Sequence, residues 1–181
     1  MKYLLLDANV LIAAYCKDEN PLTRRRAQRL LAFGLEGEAF FYVPNFCIAE
    51  VLKAFARKCW EEKLFGDPRA AYEGLRNPFL SRLEESSDAK LYSYGLTERH
   101  IRLSEQLNET ATTISYRNGQ FPSAFDLLLL GMGLDLAHVH GNDFAIVTAE
   151  RPITDIAAKH ASLPEVLNIN EREIPRHWFD A

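Results

Sequence analysis

Short apolar runs alternate with helical segments along almost the whole 181-residue chain. Strands that alternate with helices build an α/β fold with a mainly parallel sheet, because each helix carries the chain back to start the next strand in the same direction. The pattern therefore predicts an α/β sandwich. Strands are expected at Lys2–Leu6, Phe40–Val43, Leu91–Leu96, Phe144–Thr148 and Val166–Ile169.

One helical segment, within GQFPSAFDLLLLGMGLDLAH, is apolar on almost every side and is therefore expected in the interior. Gly131 and Gly133 lower its helix propensity but allow a neighbouring element to approach closely. The other helices follow from apolar periodicity and capping residues. They are expected at Asn9–Tyr15, Leu22–Leu35, Asn45–Lys63, Asp67–Leu83 with a break near Asn77-Pro78, Thr97–Tyr116 and Ile153–His160.

The composition is that of a single globular domain, with 48% hydrophobic and 25% charged residues. A net charge of −4 does not by itself indicate a nucleic-acid binder. No apolar run approaches the roughly 20 residues that span a membrane, and the amino terminus lacks a signal-peptide layout. The three cysteines have no CxxC spacing, which favours reduced thiols and a cytoplasmic location.

Four acidic residues stand where a predicted strand ends or a predicted helix begins: Asp7, Glu50, Asp126 and Glu150. Neighbouring parallel strands meet at one edge of a sheet, and α/β proteins place their sites there. The positive end of the helix dipole also favours an anion such as Asp126 in the first turn. The four carboxylates are therefore candidates for one acidic site.

Three of the four positions also have a structural explanation, whereas Glu150 on its own indicates no role. Asp7 would cap the helix that follows it. Glu50 would lie on a solvated helix face and pair with Lys53. Ser123 and Asp126 have the spacing of a capping box. Four independent coincidences of position are a less economical account than one shared site, but the pattern alone leaves both open.

Four segments, in this order, resemble the motif series of the PIN-domain ribonuclease family, to which the VapC-type toxins of toxin–antitoxin pairs belong: LLLDANVLIAAY, VPNFCIAEVLKAFARK, SAFDLLLLGMGLDLAHVHG and FAIVTAERPI. The resemblance implies a three-layer α/β/α sandwich with about five strands in the order 3-2-1-4-5. It also implies a PIN-like nuclease domain over residues 1–170 and a C-terminal tail over 171–181. We expect Trp178 and Phe179 of the tail to pack back onto the domain.

The resemblance further implies a metal-dependent endoribonuclease that uses Mg²⁺ or Mn²⁺ held by acidic residues. Asp7, Glu50 and Asp126 match the three core acids, and Asp7 and Asp126 are expected as the principal metal ligands. Glu50 would bind metal or orient the attacking water. Glu150 would support a second ion, although it stands where the family usually has aspartate, so a weaker second site is expected.

Four polar residues receive supporting roles. Asn9 and Thr148 would support the ligands or contact a phosphate. Lys53 and Arg57, on the Glu50 face of the helix, would hold flanking RNA phosphates. The expected partners are an RNA substrate, an antitoxin protein and a second copy of the chain in a homodimer, with no membrane.

Two other functions fit part of the pattern. A PIN-like domain that binds RNA or protein without cleavage has the same fold, because fold does not fix function. A haloacid-dehalogenase-like phosphatase would use the DANVL segment, Thr148 and Lys159, but it requires an acid where Asn9 stands. It also leaves Glu50 and Asp126 without a role. Metal-dependent cleavage of RNA separates these alternatives.

Overall fold

Five parallel strands form one sheet in the computed structural model, which describes residues 1–17, 20–35, 39–63, 66–84, 91–118, 121–175 and 178. The strand order is β3-β2-β1-β4-β5, which is the order predicted. Every neighbouring pair is parallel, so the carboxyl ends of all these strands lie at the same edge. The strands are β1 (Lys2–Leu6), β2 (Ala39–Pro44), β3 (Leu91–Tyr94), β4 (Phe144–Thr148) and β5 (Glu165–Asn168).

The helices between the strands lie close to their predicted positions. The α-helices are α1 (Ala8–Tyr15), α2 (Pro21–Leu35), α3 (Asn45–Ala56), α4 (Pro68–Ser81), α5 (Glu98–Asn118), α6 (Ala124–His140) and α7 (Arg151–Ala157). A π-helical segment, Arg57–Glu61, extends α3, and a short 3-10 turn, Gly141–Asp143, joins α6 to β4.

Side chains of β1 alternate between two apolar cores, one on each face of the sheet. Leu4 and Leu6 pack into the core formed with α1, α2 and α3, whereas Leu5 packs into the core formed with α5, α6 and α7. All three leucines are fully buried, which stabilises the fold by about 1.5–3 kcal/mol for each side chain. Helices therefore cover both faces, and the predicted three-layer α/β/α arrangement is confirmed.

The predicted break near Asn77-Pro78 is wrong, because α4 continues through Pro78 to Ser81. An interior proline costs about 3 kcal/mol or more. The next residue, Phe79, is fully buried against the core, and its burial offsets part of that cost. The helix predicted over Asn45–Lys63 is also partly different, since the α-helix ends at Ala56 and a π-helical segment continues it to Glu61.

The segment after β5 returns to the body of the protein through Trp178, which is 4% exposed and belongs to the core beneath α1. Its indole Nε1 donates a hydrogen bond to Glu165 Oε2 at 3.2 Å. Phe179 lies outside the described residues, and the boundary between residues 170 and 171 stays a prediction. Within the described ranges, no helix is long and apolar enough to cross a membrane.

Close packing of α5 against α6 depends on Gly131. A Cβ atom at this position would lie 2.6 Å from the His100 carbonyl oxygen and 2.9 Å from the Ser104 amide nitrogen. Both are backbone atoms of α5, so they move only if the helix moves. The close approach predicted for Gly131 is confirmed, and a Cβ atom at Gly133 would similarly collide with the Ile146 side chain.

We expect Gly131→Ala to lower the free energy of unfolding by about 1–3 kcal/mol, because overpacking outweighs the better helix propensity of alanine. Gly74→Ala is the matched control, since nothing lies within 4 Å of a Cβ atom at Gly74 in α4. That variant should be as stable as the wild type or more stable by up to about 1 kcal/mol. Urea unfolding of the three proteins measures the difference. Equal stability of Gly131→Ala and wild type would show that the helices can separate at little cost.

Candidate functional site

Asp7 follows the last residue of β1 and is buried, with 6% of its surface exposed. It occupies the N-cap position of α1, but its side chain makes no capping hydrogen bond. Instead, Asp7 Oδ2 accepts a hydrogen bond of 2.7 Å from Thr148 Oγ1. The capping explanation of Asp7 is therefore wrong, and the carboxylate bonds to β4 instead of to the helix that follows it.

Thr148, the last residue of β4, bonds the carboxyl end of β4 to the residue that follows β1. It is fully buried, and its hydroxyl donates to Asp7 while accepting a hydrogen bond of 2.9 Å from the Glu150 amide nitrogen. The Glu150 carboxylate in turn accepts a hydrogen bond of 2.7 Å from Asn9 Nδ2. Thr148 therefore links Asp7 to the Glu150 backbone, and Asn9 holds the Glu150 carboxylate.

Glu50 lies in α3 with its side chain half-buried, so it is not on a fully solvated face. Burial raises the pKa of this carboxyl group, the charge of Asp126 raises it further, and Lys53 lowers it. The predicted pairing of Glu50 with Lys53 stays a prediction. Glu50, Lys53 and Asp126 line the same cleft, so the Glu50 carboxyl group shares its surroundings with a carboxylate from α6.

Asp126 has the structural role that its sequence pattern predicted. Ser123 Oγ accepts from the Asp126 amide at 3.1 Å, and Asp126 Oδ2 accepts from the Ser123 amide at 2.6 Å, so the capping box is complete. Asp126 nevertheless lines the same cleft as the other three acids. The two explanations of Asp126 are therefore compatible, because a capping carboxylate still has oxygen lone pairs for a ligand.

Negative charge is crowded at this edge of the sheet. Burial raises the pKa of Asp7 to about 7, against the lowering effect of the Thr148 hydrogen bond, and the charges of Asp126, Glu150 and Glu50 contribute to the rise. Burial and the Asp126 charge likewise raise the pKa of Glu150. Carboxylates that raise one another's pKa in this way form a site that favours a cation.

One open cleft at the carboxyl edge contains seven of the eight residues singled out in the sequence, namely Asp7, Asn9, Glu50, Lys53, Arg57, Asp126 and Glu150. The eighth, Thr148, is buried beside Asp7. Lys53 and Arg57 are exposed along α3 and the π-helical segment. Arg57 Nε also lies 3.0 Å from Glu62 Oε1, so part of its charge is compensated within the protein.

The donor set of the cleft suits a hard divalent cation. Its four carboxylates offer oxygen ligands only, which Mg²⁺ and Mn²⁺ prefer. Among the described residues, no three His, Cys, Asp or Glu side chains converge on a point where one ion would contact all of them. Mg²⁺ needs no such cage, because it is usually bound by one or two carboxylates and keeps several waters.

Two aromatic residues of the cleft were not identified from the sequence. Phe46, in the first turn of α3, and Phe125, in the first turn of α6, stack with ring centroids 5.4 Å apart and an interplanar angle of 20°. Both line the cleft together with Phe121. Phe46 is the second residue after β2, and Phe125 directly precedes Asp126. Neither position marked them as cleft residues, because aromatic residues in a helix are more often part of the core.

Three solved structures share this fold over nearly their whole length. VapBC2 from Rickettsia felis bound to a DNA fragment from their promoter has 13% sequence identity and a TM-score of 0.52, covering 92% of this chain and 98% of the other. FitAcB from Neisseria gonorrhoeae has 17% identity and a TM-score of 0.53, covering 93% and 99%. DNA-bound VapBC from Salmonella typhimurium has 15% identity and a TM-score of 0.52, covering 93% and 99%.

These comparisons correct the identification of the chain as a member of the PIN-domain ribonuclease family. No family model matches the sequence, and no curated protein matches it significantly. The structural matches are to chains of VapBC and FitAcB complexes, and identities of 13–17% establish a common fold alone. The motif series was misleading because α/β proteins in general place their sites at the carboxyl ends of parallel strands, so acidic residues there do not identify one family.

Proposed function

We propose that this protein is a metal-dependent endoribonuclease that hydrolyses phosphodiester bonds. The observation that carries the proposal is the meeting of Asp7, Glu50, Asp126 and Glu150 in one open cleft, with Lys53 and Arg57 on its wall. Four crowded carboxylates suit a divalent cation, and two basic side chains suit a phosphate backbone. The proposal rests on this site and on no family membership.

In the proposed mechanism, Asp7 and Asp126 would hold Mg²⁺ or Mn²⁺, and Glu150 would support a second ion. A bound divalent cation would supply acidification of a water ligand and positive charge beside the phosphodiester. Glu50 orients the attacking water, and Lys53 and Arg57 bind the flanking phosphates. Thr148 keeps Asp7 in position, and Asn9 does the same for Glu150.

The matched VapBC and FitAcB complexes support a toxin–antitoxin setting for the chain. We therefore include a small antitoxin protein among the proposed partners. An RNA substrate, a homodimer and a cytoplasmic location remain predictions from the sequence. Co-expression with the product of a neighbouring reading frame, followed by purification through a tag on one protein only, tests the antitoxin partner.

Incubation of the purified protein with a mixed-sequence RNA pool tests the proposed activity. We expect cleavage in Mg²⁺ or Mn²⁺ and none in EDTA, because the acidic site depends on a cation. Addition of excess Mn²⁺ to the EDTA sample should restore cleavage, and Asp7→Asn prepared in the same way controls for contaminating nucleases. Intact RNA with both metals would contradict the proposal and favour a domain that binds RNA or protein without cleavage.

A further inference from the structure

An aromatic ledge, formed by Phe46 and Phe125, borders the acidic part of the cleft. The two rings are stacked 5.4 Å apart. Phe46 is half-buried and packs against the apolar cores on both faces of the sheet, so it is held firmly in place. Phe125 lies on top of it and keeps 46% of its surface exposed. The ledge is therefore a rigid base that carries one open aromatic ring.

Each ring of the ledge lies on the same helix as one of the acids and close to it in sequence. Phe125 immediately precedes Asp126 in the first turn of α6. Phe46 and Glu50 are four residues apart in α3, a spacing that places two side chains on one helix face. A phosphate held through a divalent cation at the carboxylates would consequently have its neighbouring nucleotide close to the exposed ring of Phe125.

The same cleft also carries positive charge. Lys53 and Arg57 are exposed side chains that also line it. A ligand that fits both parts carries negative charge for the basic side chains and a flat ring for Phe125. Single-stranded nucleic acid has this chemistry, since basic residues follow its backbone and every base presents a π-face to an aromatic ring.

We propose that the ledge of Phe46 and Phe125 is a base-stacking platform for a nucleotide next to the acidic site. A base in a duplex is stacked between its neighbours and cannot lie on the ring of Phe125. The platform gives little sequence preference, because stacking is available to every base. This inference deepens the proposed function and rests on it for the identity of the polymer.

A single-stranded RNA oligonucleotide that contains one 2-aminopurine provides the test, because the fluorescence of this base is quenched when it stacks. Binding is measured in Ca²⁺, with the integrity of the RNA checked on a gel. We expect quenching with the wild type and with Phe125→Tyr, which keeps an aromatic ring. Phe125→Leu should lose the quenching and bind about 10-fold more weakly, the effect typical of one stacked base.

Trp60→Leu is the matched control, because Trp60 is also 46% exposed but packs against Tyr72, with ring centroids 4.9 Å apart, outside the cleft. It should bind within about twofold of wild type, since no stacked base is lost. Thermal melting confirms that each variant is folded. A duplex of the same sequence should compete at least about 10-fold less well than the single strand.

Absence of quenching with the wild type, wild-type binding by Phe125→Leu, or equal competition by the duplex would overturn the platform. A ledge that serves an apolar protein segment predicts the second of these results. The outcome is separate from that of the proposed activity. Quenching without cleavage in Mg²⁺ or Mn²⁺ would retain the platform and reject the nuclease. Cleavage by the wild type, together with wild-type RNA binding by Phe125→Leu, would retain the nuclease and reject the platform.

Discussion

Asp7→Asn is expected to abolish metal-dependent RNA cleavage while the protein remains folded. Loss of a residue that merely supports a metal ligand costs about 10–100-fold in metal affinity or activity, so loss of a ligand itself should cost about 100-fold or more. Asparagine keeps the shape of the side chain and an oxygen that can accept the Thr148 hydroxyl. The expected defect is therefore chemical, and RNA cleavage at saturating Mn²⁺ measures it.

The stability of the Asp7→Asn variant separates a metal ligand from a structural residue. Without metal, the melting temperature should equal or exceed that of wild type, because the variant no longer buries a carboxylate among other carboxylates. With Mn²⁺ at about 100 times its dissociation constant, the wild type should gain about 2.7 kcal/mol, and the variant much less. Thermal melts with and without Mn²⁺ measure both effects. A variant that unfolds readily yet responds to Mn²⁺ as the wild type does would show that Asp7 is structural.

The strands and layers were predictable because they depend on local pattern. The run Lys2–Leu6 is apolar at every position facing either core, and a strand buried on both faces requires this continuity. The alternation of strands and helices then restricts the architecture to an α/β sandwich. The order of the strands was correct as well, although it came from a family resemblance that the comparisons do not support.

The geometry of the site was much less predictable, because it depends on contacts between distant residues. Asp7 and Thr148 are 141 positions apart in the chain. Their hydrogen bond requires the exact register in which Leu6 lies beside Val147, and no local pattern specifies that register. The sequence could nominate Asp7 as a cap or as a ligand, whereas only the side-chain contact excludes the cap.

Other differences arise where tertiary packing overrides local preference. Pro78 predicts a helix end, but the buried Phe79 beside it holds α4 together. The aromatic residues Phe46 and Phe125 follow the helical pattern of core residues, and nothing in their spacing reveals that Phe125 is exposed in the cleft. A side chain's environment is set by the elements around it, which the local sequence does not contain.

Asp126 has a demonstrated structural role, so a variant must remove its charge without removing its capping bond. Asp126→Asn does this, since the amide oxygen can still accept the Ser123 backbone hydrogen bond. The expected cost in stability is at most about 1 kcal/mol, from the cap and the helix dipole together. If Asp126 is a metal ligand, cleavage should nevertheless fall about 100-fold or more.

Two control variants on the same helix distinguish the two roles of Asp126. Ser123→Ala removes the side-chain half of the capping box and keeps the carboxylate, so it should lose about 1 kcal/mol of stability and retain cleavage. Asp135→Asn makes the same chemical change in a carboxylate that accepts a hydrogen bond from Tyr94 outside the cleft, so it should also retain cleavage. Cleavage rates and melting temperatures of the three variants complete the comparison. Wild-type cleavage by Asp126→Asn would leave the capping box as its whole role and reduce the proposed site to Asp7, Glu50 and Glu150.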